Sequence, residues 1–367
     1  MTESTASPPL DISPVQLVHG EGAWRVSATV GGDELWFESA VPLQPSAEAF
    51  LSALLIPAMM HGQSLRTDDP VCGVWAGNVA RARAIARRYW GFAGGEVTAP
   101  TTTVNAGAQA TGVFFTGGVD SFHALLTNLE TVSALIFVQG FDIPLTDQPR
   151  LDATARLLDH VADACNLRVL TIRTNLRQHL VFRRAHWGNH THGAALGAVA
   201  QLLAPHVGHV LVASSDVPPP HGSTVELDRC WSSAAVSVAT AGPGVARLDK
   251  VAAIADHPLV HQELRVCWEN RSAELNCGEC EKCVRTQVQF AAAGALDRLT
   301  CFGTIDLPAR IRGLWSIPHH LAGQWADAQR ALGPTPVGRA VRGLRYRTWR
   351  HSVGEKVVGG LRRLRKR

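Results

Sequence analysis

Phe114-Phe-Thr-Gly-Gly-Val-Asp-Ser-Phe-His-Ala-Leu-Leu126 is the stretch that decides the fold, because an apolar run passes through two glycines into a helix-like segment. Glycines let the backbone approach a phosphate closely, and the first turn of a helix offers unpaired N–H groups to an anion. Ser121 adds a hydroxyl donor, whereas Asp120 would repel phosphate unless a divalent cation lies between them. The stretch therefore predicts a nucleotide phosphate loop at residues 116–121, with Mg²⁺ near Asp120.

The pattern around this loop alternates between buried strands and helices. Apolar runs at 113–115, 134–138, 169–172 and 210–213 are separated by helix-length segments at 121–130, 150–165 and 193–204. Buried strands separated by helices are typical of a parallel sheet built from βαβ units. Ligands of such sheets bind beyond the carboxyl ends of the strands, where the loop falls. We predict an α/β fold with a parallel sheet flanked by helices.

Further segments flank this predicted sheet. Residues 15–40 alternate apolar and polar side chains around Gly31-Gly32-Asp33, which indicates a hairpin, and Ser46 precedes a helix-like run. The predicted organisation is a disordered N-terminus at 1–14, a small N-terminal α+β domain at 15–105, a nucleotide-binding domain at 106–300, and a helical C-terminal extension with a basic tail at 301–367.

Four cysteines, Cys267, Cys277, Cys280 and Cys283, form a separate motif, and the last three are spaced at intervals of three residues. Thiolates so spaced can converge at a helix start, and a fourth from an upstream loop completes the tetrahedron that Zn²⁺ favours. Four protein ligands leave no open position, so we predict a structural zinc. Lys282 and Arg285 are expected to offset the charge of the thiolates. A four-thiolate iron–sulfur cluster is the competing metal hypothesis.

The composition is that of an ordinary globular protein, with 46% hydrophobic and 18% charged residues in a chain of 367. No run approaches the ~20 apolar residues of a membrane span. The polar start of the chain lacks a secretory-signal pattern, so we expect a cytoplasmic protein.

The net charge of +4 is unevenly distributed along the chain, because residues 338–367 carry +10 and the rest of the chain −6. This basic tail could be a solvated segment, a nucleic-acid contact or an anionic-membrane contact.

The loop Thr116-Gly-Gly-Val-Asp-Ser121 closely resembles the Ser-Gly-Gly-x-Asp-Ser loop of the PP-loop ATP pyrophosphatase superfamily, with Thr in place of the first Ser. Members of that superfamily cleave ATP to AMP and pyrophosphate on a Rossmann-like sheet of the adenine nucleotide alpha-hydrolase type. The cysteine pattern, and the helix-like segment Arg247-Leu-Asp-Lys250, are similar to 7-cyano-7-deazaguanine synthase and its zinc-binding relatives. The resemblance covers roughly residues 112–290.

This resemblance implies an ATP-dependent ligase that adenylates a carboxylate or amide oxygen of a small molecule, so that a nitrogen nucleophile can displace AMP. It implies ATP, Mg²⁺ and Zn²⁺ as cofactors, with Asp120 and Ser121 as catalytic residues. The residues implied to contact the nucleotide are Thr116, Gly117, Gly118, Val119, Asp120, Ser121, Asp142 and Ser214.

Alternatives stay open at the level of sequence. The chain could be a tRNA-sulfurating enzyme with a catalytic thiolate, or a regulatory protein that binds nucleotide without turnover. A homodimer is a further hypothesis. Side chains that fit either a functional or a purely structural role are Asp142, Asp216, Arg173, Arg177, His186, His190 and His192, the three histidines being candidates for a substrate or second metal site.

Overall fold

The structure, a computed structural model, describes residues 8–183, 185–215, 217–303 and 305–364, with side chains as far as His351. The strands are β1 (Leu10–Asp11), β2 (Gln16–Gly20), β3 (Ala23–Val30), β4 (Asp33–Ser39), β5 (Leu65–Arg66), β6 (Val71–Cys72), β7 (Val97–Thr98), β8 (Thr101–Thr102), β9 (Thr111–Phe114), β10 (Val132–Gln139), β11 (Arg168–Thr174), β12 (His209–Ala213) and β13 (Ser237–Ala241). The α-helices are α1 (Ala47–Met60), α2 (Gly73–Trp90), α3 (Val119–Leu126), α4 (Gln148–Cys165), α5 (His192–Leu202), α6 (Val225–Asp228), α7 (Arg247–Ile254), α8 (Pro258–Glu263), α9 (Glu281–Ala292), α10 (Leu307–Gly313), α11 (Ala322–Leu332) and α12 (Pro336–Leu364).

Eight strands form one mixed sheet in the order β13-β12-β9-β10-β11-β4-β3-β2. The strands from β13 to β11 pair in parallel. From β9 the chain moves outward through β10 and β11, and then crosses to β12 and β13 on the other side of β9. Such a reversal creates a crevice at the carboxyl end of the central strand, where open α/β sheets bind ligands. The predicted α/β class, with parallel strands and flanking helices, is confirmed.

The N-terminal strands join this same sheet. β4 pairs antiparallel with β11 through Phe37 opposite Thr174, and Thr174 Oγ1 donates to Trp36 O at 2.7 Å. The pairing covers an edge strand whose backbone groups would otherwise be exposed. Met1–Thr116 and His123–Gly244 form one compact unit, in which strands of the predicted N-terminal domain at 15–105 share the sheet with the later strands.

Local signals explain how this region folds. β3 and β4 form the predicted hairpin, closed by Gly31 and Gly32 with φ of +61° and +93°. Two successive positive φ values suit a type I′ turn, which glycine adopts without strain. Ser46 caps α1, its Oγ accepting from Ala49 N at 3.2 Å. The disorder expected at 1–14 does not include Leu10–Asp11, which pair with β5, and positions 1–7 lie outside the described residues.

The second compact unit consists of Gly117–Phe122 and Val245–Arg367. Its apolar core joins Val284 and Val288 of α9 to Ile311 of α10, Trp325 of α11 and Leu344 of α12. The helical extension expected after residue 300 therefore packs on α9. Among the described helices, none has the apolar length that crossing a bilayer requires.

Asp228, at the end of α6 in the first unit, is a fully buried carboxyl group held by two hydroxyls. Its Oδ2 accepts from Ser223 Oγ at 2.9 Å and from Thr240 Oγ1 at 2.8 Å, and burial raises its pKa to about 6. A carboxyl whose pKa is higher in the folded state stabilises the fold most below its unfolded pKa. That contribution is lost as the pH rises through the folded value.

We therefore expect Asp228→Asn to stabilise the protein above pH 6. The amide keeps an oxygen for both hydroxyls but carries no charge. The gain in unfolding free energy should approach about 3 kcal/mol near pH 7.5 and fall to about 0.5 kcal/mol near pH 4. Urea unfolding of both proteins at the two pH values measures this gain, and a gain that does not change with pH would contradict the prediction.

Candidate functional site

The predicted phosphate loop leaves β9 through Thr116 and enters α3 at Val119. Gly117 has φ of +76°, a left-handed conformation that glycine adopts without strain. Arg265 N donates to Gly117 O at 2.8 Å, and Ser121 Oγ donates to Gly118 O at 3.0 Å. The carbonyl groups of both loop glycines are therefore held by hydrogen bonds.

Three predicted ligand contacts follow adjacent strands of the sheet. Thr116 follows β9, Asp142 follows β10 and Ser214 follows β12, and β9 lies between the other two strands. Asp142 is exposed, whereas Ser214 is buried and its Oγ donates to Gly242 O at 2.5 Å. The structure thus brings these three residues to one edge of the sheet. Asp216 lies outside the described residues.

Asp120 faces two protein cations within the second unit. Its Oδ2 lies 2.7 Å from Arg247 Nη1, and its Oδ1 lies 3.0 Å from Lys250 Nζ. Arg247 and Lys250 are 5% and 1% exposed, so both charges are almost completely removed from water. Burial alone would raise the pKa of Asp120, but the two cations outweigh it and hold this pKa below its ordinary value. Asp120 is thus a partly exposed carboxylate with two buried cationic partners.

Helix α9 contacts one of these two cations and contributes a third charge. Gln289, on α9, accepts through Oε1 from Arg247 Nε at 3.2 Å. Lys282, near the start of α9, adds a third positive charge that lowers the pKa of Asp120. In the sequence, Arg247 and Lys250 stand out only as part of a family-like segment. The signal that could have identified them is their i, i+3 spacing, which sets two cations on one helix face.

The four cysteines of the predicted metal site converge. Their Sγ atoms all lie within 4.8 Å of one another, with 3.9 Å between Cys277 and Cys283 and 4.0 Å between Cys267 and Cys280. A tetrahedral ion with Zn–S bonds near 2.3 Å separates its sulfurs by about 3.8 Å. An iron–sulfur cube binds each thiolate at a different iron atom, which spreads the sulfurs further apart. The cluster can therefore hold a single metal ion such as zinc.

The turn from Cys277 to Cys280 builds half of this cluster. Gly278 has φ of +70°, and Cys280 N donates to Cys277 Sγ at 3.3 Å. Cys280 directly precedes α9, and Cys283 lies in its first turn. A hydrogen bond with Cys283 lowers the pKa of Cys280 to about 6. The same hydrogen bond raises the pKa of Cys283, and burial and repulsion by the neighbouring thiolates raise it further. A bound cation would relieve that repulsion.

Asn276 supports the cluster without being a ligand. Its buried side chain accepts from Val266 N at 2.9 Å and from Cys267 N at 3.3 Å, and it donates to Leu264 O at 2.6 Å and to Cys301 O at 3.3 Å. These bonds tie the segment that carries Cys267 to the turn that carries the other ligands.

Replacing Asn276 with Ala should weaken zinc binding by about 10- to 100-fold, the usual cost of losing a residue that orients metal ligands. Competition with a zinc chelator measures the affinity. Asn78→Ala, which removes an amide that donates to Ser232 O at 3.0 Å in the first unit, is the matched control. Equal zinc affinity for the two variants would contradict the role of Asn276.

Arg285 has a different role from the one predicted. Its Nε donates to Glu281 Oε1 at 2.8 Å and its Nη1 to Gln324 Oε1 at 2.6 Å, while Trp325 Nε1 donates to Glu281 Oε1 at 2.7 Å. The guanidinium therefore links α9 to α11. Arg285 forms an ion pair with Glu281, because a buried arginine requires a paired charge.

The histidines at 186, 190 and 192 lie in and beside a turn of π-helix, Trp187–Thr191. Burial and the nearby ring of His221 lower the pKa of His192 to about 3, so this imidazole is neutral near pH 7.

The two candidate arginines have partners within the fold. The guanidinium of Arg177 lies 4.8 Å from the centre of the Trp187 ring, and Arg173 Nη1 lies 3.4 Å from Glu38 Oε1. In the described part of the chain, the four cysteines are the one group of three or more side chains that could share a metal.

A cavity of about 720 Å³ lies away from these strand ends, beside the segments that precede β9, β12 and β13. Its wall includes Glu48, whose two carboxylate oxygens accept from Cys72 N at 2.6 Å and Ser46 Oγ at 2.7 Å. Gln201, also in the wall, donates through Nε2 to Trp231 O at 2.6 Å. These polar groups serve the fold, so the cavity is not the candidate site.

Comparisons with protein-family models, with curated proteins and with solved structures found no match. The function therefore has to follow from the site and not from relatives. The features on which it can rest are the fold class, the cation pair at Asp120 and the cysteine cluster.

Proposed function

We propose that this chain is an ATP-dependent adenylating ligase of the PP-loop type, similar to 7-cyano-7-deazaguanine synthase. The observation that carries the proposal is the meeting of Arg247 and Lys250 at Asp120, 2.7 and 3.0 Å away, in the first turn of α3 after a two-glycine loop. Buried cations beside a helix N-terminus suit the phosphates of a nucleotide. The strand order around β9 is compatible with the Rossmann-like sheet that this family uses.

In the proposed reaction a carboxylate or amide oxygen of a small-molecule substrate attacks the α-phosphorus of ATP, and the bond to the β-phosphate breaks to release pyrophosphate. A nitrogen nucleophile such as ammonia then attacks the activated carbon, loses a proton and displaces AMP. Arg247 and Lys250 would turn from Asp120 to the phosphates and stabilise the charge of the departing pyrophosphate. Ser121 and the N–H groups of α3 would donate hydrogen bonds to the same phosphates.

The two metal ions have different places in this proposal. Mg²⁺ would enter with ATP and neutralise charge on its phosphates, but Asp120 does not fit as its ligand while both carboxylate oxygens face protein cations. Zn²⁺ would be structural, because four thiolates complete its tetrahedron. By fixing the start of α9, it would hold Lys282 near Asp120 and Gln289 against Arg247.

Product analysis tests the proposal. Zinc-loaded protein, supplied with ATP, ammonia and a panel of carboxylates, should release AMP and pyrophosphate. Asp120→Ala and Ser121→Ala should lower this release. Arg298→Gln, which alters an exposed arginine 2.7 Å from Asp256 in the same unit, should not. Release of ADP and phosphate by the unaltered protein would contradict the proposal.

The alternatives from sequence predict other outcomes. Sulfur transfer to tRNA requires a reactive thiolate outside the metal cluster. Burial raises the pKa of Cys230 to about 11 and that of Cys301 to about 12, and it also raises the pKa of Cys165. Reactive cysteines have lowered pKa values, so these three thiols do not favour that chemistry. A regulatory nucleotide-binding protein would bind ATP and release no AMP in the same assay.

A further inference from the structure

Helix α12 has one face packed in the second unit and another face that exposes aromatic side chains. Val341 and Leu344 are fully buried in the core that α12 shares with α10 and α11. Tyr346 and Trp349 are each 58% exposed, and their rings stack with centroids 5.9 Å apart. Trp315, whose ring lies 4.7 Å from that of His351 on α12, is 75% exposed. Exposed aromatic groups of this size mark an interaction surface.

The same helix is strongly basic. Arg339, Arg342, Arg345 and Arg350 are exposed, and residues 338–367 carry a net charge of +10. A patch with this density of positive charge attracts an anionic partner.

The sequence of α12 continues an apolar pattern beyond the packed part of the helix. The backbone remains helical to Leu364. At 3.6 residues per turn, positions 349, 353, 357, 361 and 364 all fall within about 60° of position 346 around the helix axis. The residues at the last four positions are Val353, Val357, Leu361 and Leu364. Within the helix, Lys356, Arg362 and Arg363 occupy positions more than about 60° from position 346, so they fall outside this set of positions. Apolar residues on one face and cations on another are the pattern of a helix that lies in a membrane interface.

We propose that α12 binds the surface of an anionic lipid bilayer. The stripe from Tyr346 to Leu364 would rest against the acyl chains, and the arginines and lysines would contact the lipid phosphates. The aliphatic residues favour a lipid bilayer over a nucleic acid as the partner. Phosphate contacts and base stacking use cations and aromatic rings, whereas an aliphatic stripe at helical spacing adds nothing to them and gains free energy when an apolar phase covers it. This surface is independent of the proposed catalytic function.

Vesicle flotation of the full-length chain tests the proposal. The probes are vesicles of phosphatidylcholine alone and of phosphatidylcholine mixed with phosphatidylglycerol. The protein should float with the anionic vesicles, and Val357→Asn with Leu361→Asn should reduce partitioning at least about tenfold. Tyr346→Ser with Trp349→Ser should have a similar effect. The matched control is Val18→Ser with Val74→Ser, which alters side chains that are 57% and 54% exposed in the first unit.

Unchanged circular dichroism and thermal unfolding would show that the variants fold. Loss of flotation in both stripe variants but not in the control supports the proposal. Three results would overturn it: no flotation with anionic vesicles, flotation that the stripe variants do not reduce, or tight binding of a labelled single-stranded RNA without vesicle binding.

Discussion

Replacing Cys280 with Ser should abolish zinc binding and unfold the segment between Leu264 and Cys301. The four Sγ atoms lie within 4.8 Å of one another, and Cys280 both supplies a ligand and sets the start of α9. Structural zinc contributes about 10–16 kcal/mol of apparent binding free energy in small zinc domains, so losing one thiolate removes much of what holds this segment. Metal analysis and thermal unfolding measure the two effects, and a strong chelator should reproduce them with the unaltered protein.

Cys165→Ser is the control for this experiment, because that half-buried thiol lies in the first unit and outside the cluster. It should keep one zinc per chain and the melting temperature of the unaltered protein. A Cys280→Ser protein with full zinc content and unchanged melting would contradict the metal site. One metal per chain without iron would favour the mononuclear ion that the sulfur spacing indicates.

Replacing Lys250 with Met should lower kcat/KM for ATP by about 10²- to 10³-fold, the usual effect of removing one group that stabilises charge in a transition state. Methionine keeps the length and apolar character of a side chain that is 1% exposed. Asp120 would retain Arg247 as a partner at 2.7 Å, so the fold should tolerate the change. Zinc content and unfolding should remain near those of the unaltered protein, while AMP release falls.

Asp120→Asn separates the electrostatic role of this residue from its place in the loop. The change leaves two buried cations without their carboxylate, which should destabilise the protein by about 3–5 kcal/mol. The double variant with Lys250→Met should recover part of that stability, because it removes one uncompensated charge.

For the single Lys250→Met variant, full ATP turnover would contradict the assignment of this lysine to the phosphates.

The loop and the metal site could be predicted from sequence because their residues are close together in the chain. Gly117 and Gly118 stand between a strand pattern and a helix pattern, and the cysteines from Cys267 to Cys283 are separated by short intervals. In both cases a local spacing fixes which atoms can meet. The parallel runs that predicted the α/β class are local signals of the same kind.

The remaining features depend on contacts between distant segments. Asp120 and Arg247 lie 127 residues apart, and a cation on an amphipathic helix has the pattern of an ordinary surface residue. The pairing of β4 with β11 likewise joins Phe37 to Thr174, and nothing in the alternation at 15–40 specifies which sheet edge these strands will meet. Nearness in sequence places Arg285 with the thiolates, but its ion-pair partner in the structure is the i, i+4 carboxylate of Glu281.

The position of the bond cleaved in ATP tests the central claim most directly. Two analogues, with a methylene group between the α and β phosphates or between the β and γ phosphates, are supplied with the carboxylate panel and ammonia. The proposed mechanism predicts that β,γ-methylene-ATP yields AMP and methylene diphosphonate, and that α,β-methylene-ATP binds without being cleaved. Cleavage of α,β-methylene-ATP with release of phosphate would contradict it.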